Sequence, residues 1–143
     1  ADLPEHKING GTVSPDIVPT VQRPDLVMIN RTKKSVMLCE LTVPFETNIV
    51  GARERKLERY SSLVLDIENR GFLCDLVCFE VGSRGLITKE NKRQMIKIFK
   101  FIDEPSKVQN HFQSISKIAI LTSFAIYTAR TEPTWMKPSY LQP

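Results

Sequence analysis

Nowhere in the 143 residues does an apolar run approach the roughly 20 that a membrane helix needs, so no spanning helix is expected. The opening stretch, Ala1 to Gly11, is polar and lacks the apolar centre of a signal peptide. Cysteine is scarce: three residues (Cys39, Cys74 and Cys78) are too few, and odd in number, for a disulfide framework. All three fall in strand-like apolar runs, where a thiol behaves as a small hydrophobe in a reducing compartment. Cys74 and Cys78 would share one face of a strand but stand too far apart to clasp zinc unaided. The only two histidines, His6 and His111, sit in unrelated polar segments, so no zinc site is expected. These absences lead us to expect a soluble, intracellular protein.

What is present is ordinary for a globular chain: 41% apolar and 25% charged residues, at a length that suits one hydrophobic core. The net charge of +4 is modest but unevenly placed. Between Arg84 and Lys100 stand six basic residues (Arg84, Lys89, Lys92, Arg93, Lys97, Lys100) and one acid, Glu90. A local excess of this kind suits a polyanion such as nucleic acid. A solvated helix face is the plainer account of the same charges.

In chain order, residues 1–20 are punctuated by Pro4, Gly10, Gly11 and Pro15 and predict an irregular N-terminal arm. Residues 21–143 then predict a single domain. Val21 to Asn30 reads as a strand, Asn30 to Lys34 as a hairpin loop, and Ser35 to Val43 as a second strand stopped by Pro44. A long helix is expected from Asn48 to Asn69, closed by Gly71. Phe72 to Val81 is nearly continuously apolar, as a buried central strand would be. A basic amphipathic helix follows at Lys89 to Phe101, Pro105 breaks the pattern, and a last helix is expected over Ser106 to Arg130. Pro133, Pro138 and Pro143 mark an irregular tail. The order β-β-α-β-α-α predicts an α/β fold, a mixed sheet flanked by helices.

Two acids carry the chemistry of this frame. Asp25 follows Pro24 at the start of the first strand, Glu40 lies near the end of the second, and fourteen residues separate them. A hairpin brings those two strand ends together. Two convergent carboxylates make an oxygen-rich site for a hard divalent cation. For each acid alone, a solvent-facing strand-end charge is the plainer reading. That reading is strained at Glu40, which stands among Leu38, Cys39, Leu41 and Val43. On a helical wheel, Ile49, Ala52, Tyr60, Leu63 and Ile67 form one apolar stripe, and Lys56 falls in its middle. A lysine there must either snorkel outward or meet a buried acid.

Pro24-Asp25, fourteen residues and Glu40 resemble the metal-binding half of the PD-(D/E)xK nucleases. The usual lysine two residues after the second acid is missing, because Thr42 stands there. One branch moves the lysine onto the following helix as Lys-x-x-x-Tyr, with a basic residue before Pro-Asp: the restriction-like endonuclease at the C-terminus of some site-specific retrotransposons lacking long terminal repeats. Arg23, Asp25, Glu40, Lys56 and Tyr60 match that pattern in order, and the phrases Glu40–Glu46, Ala52–Lys56 and Glu80–Gly85 are also similar to that branch. The likeness covers roughly residues 21 to 135 and implies a restriction-endonuclease-like fold.

The resemblance further implies Mg²⁺ (or Mn²⁺) on Asp25 and Glu40, with the Leu41 carbonyl as an added ligand. Lys56 would act on the attacking water or the phosphate, and Tyr60 would either position Lys56 or serve packing alone. Arg23, Arg84, Lys89, Lys92, Arg93 and Lys97 would contact the DNA backbone. The implied role is nicking target DNA, in the nucleus, so that its 3′ hydroxyl primes reverse transcription. The chain is accordingly expected to be an excised domain of a reverse-transcriptase polyprotein, or a host-retained fragment of one. Glu46 either reaches the site or caps the helix. Pro15-Asp16 is a decoy, since Arg31 rather than an acid lies at the matching distance. The alternative function is a non-catalytic DNA- or protein-binding remnant of the same fold. Junction resolution, a third reading, would require a symmetric dimer.

Overall fold

The computed structural model describes residues 5–8, 11–102 and 108–129. The expected Pro105 break and the proline-marked tail lie outside the described residues. The elements are β1 (Glu5–Ile8), β2 (Leu26–Asn30), β3 (Ser35–Thr42), α1 (Ile49–Asn69), β4 (Leu73–Glu80), α2 (Lys89–Phe101) and α3 (Val108–Ala129), with one 3₁₀ turn, Glu46–Asn48, before α1. The sheet runs β1-β2-β3-β4: β1 pairs antiparallel with β2, β2 antiparallel with β3, and β3 parallel with β4. The chain is therefore α/β with a small mixed sheet; β4, expected as a buried central strand, is an edge strand among the described residues, buried only over its second half, Val77 to Glu80.

Alternation along the strands sorts side chains to two faces. Val27, Ile29, Val36 and Leu38 meet Tyr60, Leu63 and Ile67 of α1 in one buried cluster. Met28, Met37, Cys39 and Val77 face the other way, onto Ile98, Phe101 and Ile102 at the end of α2. Farther along that second face, Phe79 and Val81 join Met95 of α2 with Phe112 and Ala119 of α3. The five buried positions of α1 are Ile49, Ala52, Tyr60, Leu63 and Ile67, the stripe read from the helical wheel.

Three features differ from the expected elements. Val13, Ile17 and Val18, in the stretch expected to be an irregular arm, are buried under α1 in the first cluster. A turn held by Ile17 N–H and Val18 N–H on the Ser14 carbonyl (2.9 and 3.1 Å) folds them inward. Farther upstream, Glu5–Ile8 adds an edge strand beside β2. β2 begins at Leu26 rather than Val21, since Pro24 offers no N–H to a ladder and Val21 is 92% exposed. The helix stop behaves as expected: Gly71 has φ 82°, and its N–H and that of Phe72 close onto the Glu68 and Ile67 carbonyls.

Candidate active site

Glu40 and Glu80 point from β3 and β4 toward α1, because they share strand parity with Val36, Leu38 and Leu76 of that face. The Glu40 side chain is 1% exposed. Lys56, four residues after Ala52 and four before Tyr60 on the buried stripe, reaches down from α1 and forms an ion pair with Glu40 Oε2. Of the two fates open to a lysine on that stripe, the structure shows the meeting with an acid.

Asp25 lies just before β2, where the β2–β3 register carried on by one residue sets it opposite Glu40. Two hydrogen bonds stitch the corner together. The Asp25 N–H donates to Glu40 Oε1 at 3.2 Å, and the Leu41 N–H donates to Asp25 Oδ2 at 2.8 Å. Asp25 itself is exposed, so the corner opens to solvent on its side.

Tyr60 completes the group with a different hold from the one expected. Its hydroxyl donates to the Arg23 carbonyl at 3.2 Å and so braces the Arg23-Pro24-Asp25 segment against α1. Burial first, with the negative charge of the neighbouring Glu40 adding to it, pushes the phenol up to about 12, so it stays protonated at neutral pH. The structure thus brings Asp25, Glu40, Lys56 and Tyr60 into one corner, with Arg23 alongside.

The other expected contacts are scattered. Glu46 neither reaches this corner nor caps α1 with its side chain. It accepts from the Arg84 backbone N–H (2.8 Å) and side chain (3.0 Å), while that guanidinium lies 5.1 Å over the Phe45 ring. Desolvation raises the Glu46 carboxyl, but these Arg84 contacts bring it below its ordinary value. Gly82 permits the contact, since a Cβ there would come within 2.5 Å of Glu46 Oε1.

Lys89, Lys92, Arg93 and Lys97 stand exposed on α2, whose last turns cover the sheet face opposite the acids while its first turn reaches Glu80 and Arg53 through Asn91. Lys97 and Lys100 line a cleft of about 310 Å³ with Lys33 and Asp75, at the Ser35 end of β3. That end is five residues, or about 17 Å, from Glu40. At the decoy, Asp16 pairs with Arg31 at 2.6 Å, and the Arg31 hydrogen bond holds its carboxyl well below the usual range. Burial keeps the thiols protonated, Cys39 and Cys74 pushed up to about 12 and Cys78 to about 11.

No family model matches the chain, and no curated protein does. Asp25 and Glu40 offer carboxylate oxygens only, a set that suits Mg²⁺ or Mn²⁺ rather than a thiol- or imidazole-seeking metal. Among the described residues no group of three or more His, Cys, Asp or Glu comes together. Two carboxylates are nonetheless within what Mg²⁺ uses, the rest of its shell being water and phosphate oxygen. The donor set fits the ion.

The cluster that sequence reasoning missed is Arg53, Glu80 and Asn91. Glu80 lies within the nearly continuous apolar run Phe72–Val81, which gives it no role of its own. In the structure Glu80 is buried and accepts from Arg53 Nη2 at 2.6 Å. The signal available was an acid at the end of an apolar run, the same signal that marked Glu40.

Proposed function

We propose that the chain is a metal-dependent DNA endonuclease domain of the PD-(D/E)xK class, with a restriction-endonuclease-like fold, nicking target DNA in the manner of the retrotransposon enzymes it resembles. The observation that carries this reading is the Lys56 ammonium seated on the buried Glu40 carboxylate, with Asp25 on the adjoining strand end. An antiparallel hairpin joined through a helix to a parallel strand supports the same class.

A cation held by Asp25 and Glu40 would activate a water and neutralise charge at the scissile phosphate. Lys56 keeps an N–H-rich ammonium beside Glu40, partly open to solvent at 26% exposure, where it can donate to the attacking water or a phosphoryl oxygen. Tyr60 keeps the Asp25 segment in register through the Arg23 carbonyl. Arg23, exposed two residues before Asp25, would contact a backbone phosphate. With no separate targeting module in the described residues, cleavage of low sequence specificity is expected.

One observation favours the non-catalytic alternative: both Glu40 oxygens already have protein donors, as a purely structural ion pair would. Incubating the domain with supercoiled plasmid in Mg²⁺, Mn²⁺ or EDTA separates the readings. Nicking that needs the cation and vanishes in Asp25→Ala and Glu40→Ala is the expected result. Wild-type nicking by a folded Asp25→Ala variant would remove the metal assignment, and plasmid left intact by the wild type in both metals would leave the binding module.

A further inference from the structure

Beside the Glu40–Lys56 pair lies a second buried ion pair that the nuclease reading does not use. Glu80 stands on the same sheet face, two residues beyond the Cys78 that is paired with Glu40. Arg53, one turn before Lys56 on α1, meets it with Nε at 3.1 Å and Nη2 at 2.6 Å, both on Glu80 Oε2. Nη2 also donates to Asn91 Oδ1 at 2.5 Å and to the Cys78 carbonyl at 3.4 Å. Asn91, fully buried in the first turn of α2, is itself fixed: its Nδ2 donates to the Glu80 carbonyl, and its Oδ1 accepts from the Glu80 N–H at 3.3 Å. One side of the guanidinium is thus locked from β4 and α2.

The other side is not. Among the described residues the only polar partner of Nη1 is Glu90 Oε1, at 3.7 Å, beyond hydrogen-bond length. Glu90 is itself engaged by Gln94 at 2.6 Å and Arg93 at 3.1 Å. Meanwhile Glu80 Oε1 is buried with no hydrogen-bond partner. A buried acid with an orphan oxygen is a poor way to gain stability, and an apolar pair would serve that end better. Such an arrangement next to a candidate site points to function.

We propose that Glu80 and Asn91 are positioning residues that hold the Arg53 guanidinium so that its Nη1 edge binds a DNA phosphate beside Lys56. The inference rests on the nuclease reading for the identity of that anion. A guanidinium suits the task because its planar fork can engage a carboxylate on one edge and a phosphate on another, which an ammonium cannot do.

The test uses the purified domain, with duplex binding measured on a fluorescein-labelled DNA in Ca²⁺, plasmid nicking in Mg²⁺, and thermal melts. Arg53→Lys keeps the charge on Glu80 but cannot also span to Asn91 and a phosphate. It is expected to weaken duplex binding and lower kcat by roughly tenfold each, with little change in melting. Glu80→Gln keeps the shape while loosening the clamp, and is expected to lower kcat roughly tenfold, leave KM within about twofold, and not lower the melting temperature.

Wild-type binding and nicking in Arg53→Lys would overturn the clamp. So would a Glu80→Gln variant that melts lower yet keeps its kcat, since that is the mark of a merely structural cluster. Failure here is separable from failure of the nuclease reading. If the wild type does not nick but Arg53→Lys still loses duplex affinity, the phosphate clamp stands and the nuclease reading falls. If Asp25→Ala abolishes nicking while Arg53→Lys binds and cuts normally, the reverse holds. A wild type that binds no DNA overturns both.

Discussion

Lys56→Met isolates the charge at the centre of the site, because methionine keeps the length, the apolar bulk and much of the helix propensity of lysine. The carboxylate left behind is 1% exposed and retains the Asp25 N–H as a donor at 3.2 Å. Removing one partner of a buried ion pair costs about 3–5 kcal/mol. Lys56 is itself 26% exposed, so water reaches part of the gap. Discounting for that screening gives a loss of about 2–4 kcal/mol in EDTA. At 2–4 °C per kcal/mol for a chain of this length, melting should fall by roughly 5–15 °C. In Mg²⁺ a cation on Asp25 and Glu40 replaces the missing positive charge, and melting should return close to the wild-type value. Nicking should not return: loss of one transition-state donor lowers the rate by roughly 10²-fold. The assays are a melt with and without Mg²⁺ and a plasmid-nicking time course on one variant. An EDTA melt at or above wild type would refute the buried-charge argument. Full nicking would refute the role given to Lys56.

Two other outcomes follow from the charges. Duplex affinity should fall steeply with salt as phosphates displace counterions, and reversing Lys92, Arg93 and Lys97 to Glu should weaken binding and flatten that slope. An unchanged slope would clear α2 and leave Arg23, Arg53 and the hairpin lysines as the contacts. For Glu80, burial raises the carboxyl above its ordinary value, with Arg53 opposing. The folded state therefore binds the proton more tightly than the unfolded chain. Its contribution is fullest below the ordinary carboxylate pKa and is lost as pH rises through the folded value. Glu80→Gln, which cannot ionise, should gain on the wild type in melting temperature as pH rises above the ordinary carboxylate range. A difference that stays constant with pH would mean that Arg53 fully offsets the burial.

Local pattern alone determined a good deal of this protein. The period of α1 was complete in Ile49, Ala52, Tyr60, Leu63 and Ile67, and so placed Lys56 on the core-facing side. The hairpin length and the alternation of β2 and β3 brought the Asp25 and Glu40 ends together. Gly71 ended the helix because only a residue tolerant of positive φ closes it that way. These are short-range properties, set by 2- and 3.6-residue periods and by single-residue conformational preferences. What the tertiary structure decided depended on which faces meet across long sequence separations. It turned Val13, Ile17 and Val18 from a proline-punctuated arm into core, which no local period announced. It directed the Tyr60 hydroxyl to the Arg23 carbonyl rather than to Lys56. It packed the end of α2 on the side of the sheet away from the acids, and it joined Arg53, Glu80 and Asn91 across 38 residues of chain. The parallel pairing of β4 with β3 is the physical reason for that last cluster: it sets Glu80 beside Glu40 on one face, where the sheet register, and no local feature of either segment, decides what α1 must neutralise.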